Sequence, residues 1–266
     1  MRRLSLLLLI PFLLFGTISA HSYGSEGCDS STVLLSHYDG ADAAVSTADE
    51  DCKGNGSKAY TFVANAQLDI AQSKFSPSSI LFDGTGDFVT LPDSADWQLD
   101  GASDSNEWTI DFWTRLNVDA GGDMGFISQK QGTDDQWQLE HKGNTNTLDF
   151  LVRTGGSTTV FISKSWNPAV NIWYHVAVVK QGTAGYKMFI NGDQIGVTET
   201  DTSTFPDYTG VLKIGSVTDT GGTEDSLNGW IDEMRITKGK ARWKLAPFNS
   251  PSTPYCSGCE MKEVLL

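Results

Sequence analysis

Hydrophobic and polar residues alternate along much of this chain in short runs, which are separated by Gly, Asp, Asn or Ser. In the clearest run, Trp108–Val118, residues such as Ile110 and Phe112 occupy every second position, and mostly polar residues lie between them. Successive side chains of a β-strand point to opposite faces, so this pattern predicts a half-buried strand. The same reasoning predicts further strands at residues 33–38, 79–82, 87–91, 126–130, 136–141, 148–153, 158–163, 173–180, 186–190, 211–215 and 230–237.

The connections between these runs also favour an all-β protein. Asn191-Gly192 is a strong signal for a type I′ hairpin turn. The runs follow one another at intervals of about 8–12 residues, which is typical of a sandwich or a barrel. Since no convincing amphipathic helix interrupts them, we predict one all-β domain at 31–255, with an N-terminal tail at 21–30 and a C-terminal tail at 256–266.

Residues 1–20 have the features of a secretory signal peptide. Arg2 and Arg3 precede the apolar run Leu4–Phe15, and Gly16–Ala20 supplies the small residues of a cleavage site. The apolar run is shorter than the roughly 20 residues that a membrane-spanning helix needs. We therefore expect a secreted protein, or a periplasmic one in a bacterium, with no membrane span in the mature chain; an uncleaved anchor is the alternative.

The charge of the chain limits its partners. Its formal net charge is −14 at pH 7. A surface this negative repels phosphate backbones, so we expect no nucleic-acid partner. The same charge favours solubility.

The four cysteines lie near the two ends of the mature chain, at Cys28, Cys52, Cys256 and Cys259. An even number of cysteines in an exported protein predicts disulfide bonds, and three pairings are open. If the termini meet, Cys28 or Cys52 bonds to Cys256 or Cys259. Cys256-Ser-Gly-Cys259 alone is similar to a redox pair or half a zinc site, but no second such motif accompanies it.

One carboxylate conflicts with its surroundings. In a regular strand over Gly229–Ile236, Asp232 shares a face with the apolar residues Trp230 and Met234. A charge on an inward, apolar face is costly unless a metal ion or a dense set of hydrogen bonds compensates it. Asp232 is therefore a candidate site residue.

Five stretches together carry a family resemblance. They are Leu34–Gly40, Ser79–Val89, Trp108–Trp113, Trp173–Val179 and Gly229–Ile236. In this order the chain resembles, over residues 31–255, the laminin-G-like members of the concanavalin A-like lectin/glucanase superfamily. The resemblance implies a jelly roll of two antiparallel sheets, one concave and one convex. It also places Trp108, Trp173 and Trp230 at core positions.

The resemblance further implies a structural calcium ion between the first strand, a Gly-rich turn and the last strand. The matching positions here are Asp39, the turn Asp83-Gly84, and Asp232. Calcium takes six to eight oxygen ligands from carboxylates, backbone carbonyls and water, so these residue types fit. The alternative is that Asp232 accepts backbone N–H bonds and holds no metal.

The superfamily includes glucanases, which carry three carboxylates as E-x-D-x-E on one strand face. That motif is absent, and the nearest fragments are Glu199-Thr200-Asp201 and Asp49-Glu50-Asp51. The chain also lacks the G-x-S-x-G, H-E-x-x-H and P-loop motifs. We therefore expect no enzymatic activity, although carboxylates from separate strands leave a β-glucan hydrolase as an alternative.

Aromatic residues suggest a ligand surface. Sandwich modules of this kind often bind sugars by stacking rings on pyranose faces while polar groups bond the hydroxyls. Trp113, Trp137 and Trp166 are the candidates for ligand contact. Trp113 lies on the strand face opposite Ile110 and Phe112, Trp137 is flanked by polar residues, and Trp166 lies in a loop-like segment. The leading hypothesis is a secreted, non-catalytic carbohydrate-binding or adhesion module whose partner is a glycan or an extracellular protein. A structural component of a surface layer or assembled particle is the second hypothesis, and the oligomeric state stays open.

Overall fold

The alternating runs form β-strands that pair into two sheets. The structure is a computed structural model, and it describes residues 27–50, 52, 56–100, 106–118, 121–201, 203–219 and 221–255. The predicted signal peptide, Cys256 and Cys259 lie outside these residues. The strands are β1 (Thr32–Ser36), β2 (Thr61–Val63), β3 (Gln67–Asp69), β4 (Ser79–Asp83), β5 (Phe88–Leu91), β6 (Glu107–Leu116), β7 (Asp123–Gln131), β8 (Asp135–Lys142), β9 (Thr147–Thr154), β10 (Ser157–Ser165), β11 (Trp173–Gln181), β12 (Tyr186–Ile190), β13 (Asp193–Glu199), β14 (Leu212–Ile214), β15 (Ser216–Thr218), β16 (Glu224–Ser226) and β17 (Asn228–Lys238).

The two sheets confirm the predicted all-β jelly-roll sandwich. In the first sheet the strand order is β13-β12-β11-β6-β17-β4-β3, and β1 also pairs with β17. In the second sheet the order is β10-β9-β8-β7-β14-β5-β2, and the short hairpin of β15 and β16 attaches to β7. Pairing is antiparallel apart from a parallel bridge between Ser226 and Gly125. The predicted turn at Asn191-Gly192 joins β12 to β13, and both of its residues have positive φ.

The core lies between the two sheets and is rich in aromatic side chains. Trp108 of the first sheet packs 5.3 Å from Phe150 of the second, and Phe112 packs 5.3 Å from Phe126 (ring centroids). All four rings have no solvent exposure. Aromatic pairs of this kind stabilise a core beyond the area they bury. The inward positions of the alternating pattern therefore become the contact surface of the sandwich.

A β-bulge in β17 corrects the expected orientation of Asp232. The register of β17 against β6 shifts between Asp232 and Arg235, and Glu233 has φ of 54°. The extra residue turns Asp232 away from the core, whereas Ile231 and Met234 on either side pack into it. Asp232 therefore lies opposite Trp113 on the outer face of the first sheet.

Two tryptophans also differ from the family expectation. Trp108 is a core residue, as expected. Trp173 and Trp230 instead lie on the outer face of the first sheet. Both pair with Arg115, and residues paired across a sheet point to the same face. Arg115 points outward because its neighbours Thr114 and Leu116 point toward the core.

Segments after β17 and after β3 cover most of that outer face. Ala177 and Phe189 form a second apolar cluster with Ala241, against which Trp243 and Phe248 pack. Trp243 and Phe248 stack on each other with ring centroids 4.2 Å apart. The C-terminal segment 240–255 is thus part of the folded domain.

The N-terminal part of the domain is closed by a disulfide bond between Cys28 and Cys52, whose Cα atoms are 5.0 Å apart. This is one of the three pairings that the sequence left open, and it joins two cysteines of the same end. Within the part of the chain that the structure describes, we find no helix with both the length and the hydrophobicity of a membrane span.

Candidate functional site

The structure buries all three tryptophans that the sequence suggested for ligand contact. Trp137 has no solvent exposure, faces the core and donates its indole N–H to Gln129 Oε1 at 3.1 Å. Trp166 is 7% exposed and packs against Phe126 and Tyr174. Trp113 is 5% exposed. A sugar can stack on any of these rings only after a neighbouring side chain moves.

Trp113 lies beneath the segment that follows β3. Its ring makes an edge contact with Phe75, and the Lys74 Nζ atom lies 3.9 Å from its centroid. The His175 ring, on the neighbouring strand, packs 5.3 Å from the Trp113 ring (centroids). Trp113 therefore supports the covering segment in this structure.

The structure brings together two of the four predicted calcium positions. Asp232 Oδ2 accepts the backbone N–H groups of Lys74 at 2.8 Å and Phe75 at 3.0 Å. Burial, with smaller contributions from the charges of Glu233 and Asp39, raises the pKa of Asp232 to about 8. Asp39 itself is exposed.

The turn Asp83-Gly84 lies elsewhere. Asp83 pairs with Asn228, four residues before Asp232 on β17, which is about 13 Å along an extended strand. Its carboxylate caps its own turn by accepting the Thr85 N–H at 2.8 Å, and Gly84 has φ of +86° with Asn228 against it. The described residues contain no group of three or more side chains suited to a metal ion.

A buried charged network lies under the C-terminal segment. Asp111 accepts two hydrogen bonds from the Arg235 guanidinium, both of 3.0 Å, and a third from the Tyr255 hydroxyl. His175 Nε2 lies 3.4 Å from the same carboxylate. Arg235 holds the pKa of Asp111 at about 2 against the opposing effect of burial. The network fastens Tyr255 to β6 and β17, which is a structural role.

The outer face of the second sheet carries a ladder of polar side chains that the sequence analysis did not single out. Trp137 and Leu139 of β8 enter the core, so the residues between them point outward. Gln136 donates to Gln138 at 2.6 Å, Gln138 donates to Glu140 at 2.8 Å, and Glu140 contacts Lys142 at 3.0 Å. We call these four residues the β8 ladder.

The charged end of the β8 ladder collects three carboxylates around one ammonium group. Lys142 Nζ lies 2.8 Å from Asp123, 3.0 Å from Glu140 and 4.0 Å from Asp225. Asp123 and Glu140 raise the pKa of Lys142, whereas burial raises the pKa of Glu140.

The hairpin β15–β16 forms a wall beside the ladder. Ser128 of β7 donates to the Ser216 carbonyl at 3.2 Å, and Lys130 donates to the Asp219 carbonyl at 3.0 Å. A Cβ atom on Gly125 would lie 2.2 Å from the backbone nitrogen of Val217. The hairpin can therefore approach β7 this closely only because residue 125 has no side chain.

The opposite edge of this face is open and carries an exposed aromatic ring. Phe161 of β10 is 56% exposed and pairs with Leu151 of β9, which in turn pairs with Gln138 of the β8 ladder. In the adjacent row Ser163 donates to Asp149 at 2.6 Å. We call Leu151, Phe161, Ser163 and Asp149 the β9–β10 platform; Phe161 and Ser163 are exposed, Leu151 is half-buried, and Asp149 is buried beside Ser163. It combines an apolar ring with hydroxyl and carboxylate groups.

The same rows bring two carboxylates from separate strands together. Glu140 of β8 pairs with Asp149 of β9. Glu140 Oε1 accepts from Gln138 and its Oε2 contacts Lys142, and Asp149 Oδ1 accepts from Ser163. Three of their oxygens are thus engaged by neighbouring side chains.

Comparison with protein families agrees with this architecture of two antiparallel sheets. A laminin-G-type family model, described as concanavalin A-like lectin/glucanases superfamily, matches residues 83–242. The match takes in more than half of the chain. The chain therefore belongs to the concanavalin A-like lectin/glucanases superfamily, as its sequence resemblance predicted.

Solved structures with the same fold include toxin and enzyme domains. The binding domain of botulinum neurotoxin DC in complex with rat synaptotagmin II matches with a TM-score of 0.57 and 16% identity, over 79% of this chain and 48% of that chain. The receptor binding domain of a botulinum neurotoxin C/D mosaic serotype matches with a TM-score of 0.58 and 12% identity, over 80% and 49%. This chain thus spans about half the length of those toxin domains.

A third match extends over nearly a whole domain. It is domain 4 of AbnA, a GH43 extracellular arabinanase from Geobacillus stearothermophilus, in complex with arabinotriose, with a TM-score of 0.53 and 17% identity over 79% of this chain and 95% of that one. At such low identities these likenesses show the shared fold. No curated protein matches the chain in sequence.

Proposed function

We propose that this protein is an exported, non-catalytic carbohydrate-recognition module that binds glycan on the β9–β10 platform. The observation that carries the proposal is the exposed Phe161 ring beside the Asp149–Ser163 pair, in rows that continue across the sheet to the hydrogen-bonded β8 ladder. A ring that stacks on a sugar face and polar groups that bond its hydroxyls are the usual elements of such sites. The arabinotriose complex of the similar arabinanase domain supports the choice of ligand class.

Removal of the Phe161 ring tests the platform. In titration calorimetry against neutral oligosaccharides, with arabinotriose as the first probe, we expect Phe161→Ala to weaken binding about tenfold, because a stacked aromatic contact is worth about 1 kcal/mol or more. The matched control is Val197→Ala, since Val197 is 77% exposed on the first sheet. Equal affinities of wild type and F161A would exclude the platform. Release of reducing sugar from β-glucan by the wild type would instead favour a hydrolase.

We further propose that Asp232, together with Asp39, holds a structural calcium ion. Asp232 Oδ1 is buried and has no hydrogen-bond partner among the described residues, so one hard oxygen is available. Asp39 is an exposed carboxylate of the predicted set, and its charge contributes to the raised pKa of Asp232. Backbone carbonyls and water would supply the remaining ligands. The ion would neutralise a carboxylate that burial otherwise penalises.

Chelation tests the calcium ion. We expect EDTA to lower the melting temperature of the wild type by about 5–10 °C, because loss of a ligand bound at saturation removes about 2–3 kcal/mol. Asp232→Asn should abolish this difference between calcium and EDTA. Asp83→Asn should preserve it, since Asp83 pairs with Asn228 away from Asp232. An identical melting temperature of the wild type in calcium and in EDTA would refute the site.

A further inference from the structure

One row of side chains on the outer face of the first sheet is not covered by the C-terminal segment. The register aligns Trp173 of β11, Arg115 of β6 and Trp230 of β17 on neighbouring strands. The next row along the sheet, which contains Trp113, is buried under Lys74 and Phe75. The row at Arg115 ends where the strands end, so it forms an open edge of the sandwich.

The guanidinium group of Arg115 is the unusual member of this row. Its Cζ atom lies 4.8 Å from the Trp230 ring centroid. Among the described residues, no carboxylate lies within ion-pair distance of Arg115, in contrast to the buried Arg235 with its carboxylate partner Asp111. The charge is therefore held in place by an indole face, and its N–H groups remain available to a ligand.

Neighbouring groups fix this arrangement and make it apolar. The Trp230 indole N–H donates to Asp69 Oδ2 at 2.7 Å, which sets the orientation of the ring beside Arg115. Ile70, next to Asp69, is 55% exposed, and Ile172, next to Trp173, is 49% exposed. Two indoles on strands about 10 Å apart thus flank one cation within an apolar border.

We propose that the row Trp173–Arg115–Trp230 is a second glycan site, distinct from the β9–β10 platform, which binds a sugar bearing one carboxylate group. A planar guanidinium pairs with a carboxylate through two parallel hydrogen bonds. The half-buried Trp173 indole offers an apolar surface to the sugar ring, whereas the buried Trp230 ring holds the guanidinium in place. A single guanidinium pairs with a single carboxylate group. The net charge of −14 repels a ligand that carries many negative charges.

Methyl β-glucuronoside and its neutral counterpart methyl β-glucoside test this site. In titrations followed by NMR, we expect the wild type to bind the glucuronoside about tenfold more tightly, as a charge-assisted pair predicts. Arg115→Gln should remove that preference while the protein stays folded, because Arg115 is half-buried and bonds to no carboxylate. Lys187→Gln is the matched control, since it removes one positive charge from the same sheet at a position where Lys187 bonds to the Lys244 carbonyl.

Several results would overturn the proposal. The first is that the wild type binds the two glycosides with equal affinity. The second is that K187Q and R115Q lose glucuronoside binding equally. The third is that an acidic peptide or anionic vesicles bind through Arg115 while the glucuronoside does not bind. The variant F161A separates the two sites. Glucuronoside binding that survives in F161A supports the second site even if the β9–β10 platform proves wrong, whereas its loss in F161A would assign the carboxylate preference to the platform and refute the row.

Discussion

Replacement of Asp111 by alanine is expected to lower the free energy of unfolding by about 3–5 kcal/mol, because it leaves a buried cation without its partner. Arg235 has no solvent exposure and donates hydrogen bonds to both carboxylate oxygens of Asp111. The Tyr255 hydroxyl and the His175 ring lose the same acceptor. Urea unfolding followed by tryptophan fluorescence measures the change directly.

Two comparisons distinguish this explanation from a general effect of mutation. The double variant Asp111→Leu with Arg235→Met removes both charges and should be more stable than the single variant Asp111→Ala, since no unpaired charge remains. Glu199→Ala breaks the pair with Lys164, in which Glu199 is 40% exposed, and should cost about 0–1 kcal/mol. A loss in D111A no larger than that of E199A would contradict the role of the network.

The pH dependence of D111A provides a further check on the same prediction. The pKa of Asp111 is about 2 in the folded protein and is lowered from 3.8. Its ionised form therefore stabilises the fold fully above pH 4, and this contribution is lost as the pH falls through 2. The stability difference between wild type and D111A should shrink over that interval.

The sequence predicted the long strands because their alternation extends over many residues, as at Trp108–Val118. It did not predict β2, β3, β15 or β16, each of three residues, since so short a segment contains no measurable period; β14, equally short, lies within the longer predicted run 211–215. β15 and β16 nevertheless matter, because they form the wall beside the β8 ladder. Contacts with β7, rather than the local pattern, hold them in place.

Asp232 shows how one inserted residue changes the interpretation of a strand. Regular alternation over Gly229–Ile236 places Asp232 with Met234, but the bulge at Glu233 separates their faces. The spacing of three between the core residues Ile231 and Met234 was the available signal. Because one bulge residue reverses every side chain beyond it, an inward charge in a predicted strand is itself evidence for a bulge.

The tryptophans illustrate the same geometry in another way. Trp137 has Gln136 and Gln138 as neighbours, and those polar residues suggested an exposed ring. Adjacent side chains of a strand point to opposite faces, so polar neighbours place Trp137 in the core. The same argument places Phe161 outward, since Val160 and Ile162 beside it are buried. The alternating pattern was therefore sufficient to place Phe161 on the outer face. It does not identify a ligand, because that depends on side-chain geometry.

Substitution of Gly125 by alanine is expected to lower the free energy of unfolding by about 1–3 kcal/mol and to open the hairpin β15–β16. The new Cβ atom would lie 2.2 Å from Val217 N and 2.6 Å from Ser216 C, and these are backbone atoms that cannot rotate away. The hairpin must then move from β7, which breaks the bond from Ser128 to Ser216 and hydrates the β8 ladder. Faster hydrogen exchange of the hairpin amides, together with the shift in urea midpoint, measures both effects.

The matched control for this prediction is Gly122→Ala, because a Cβ atom on Gly122 meets no atom within 4 Å. That variant should retain the stability and the hairpin exchange rates of the wild type. If G125A exchanged no faster than G122A, the close approach of Val217 to β7 would not hold the hairpin. The two variants each add one methyl group, and only the one at residue 125 meets the backbone of Val217. The contrast therefore isolates the contact that holds the hairpin β15–β16, which the sequence pattern did not predict, beside the β8 ladder.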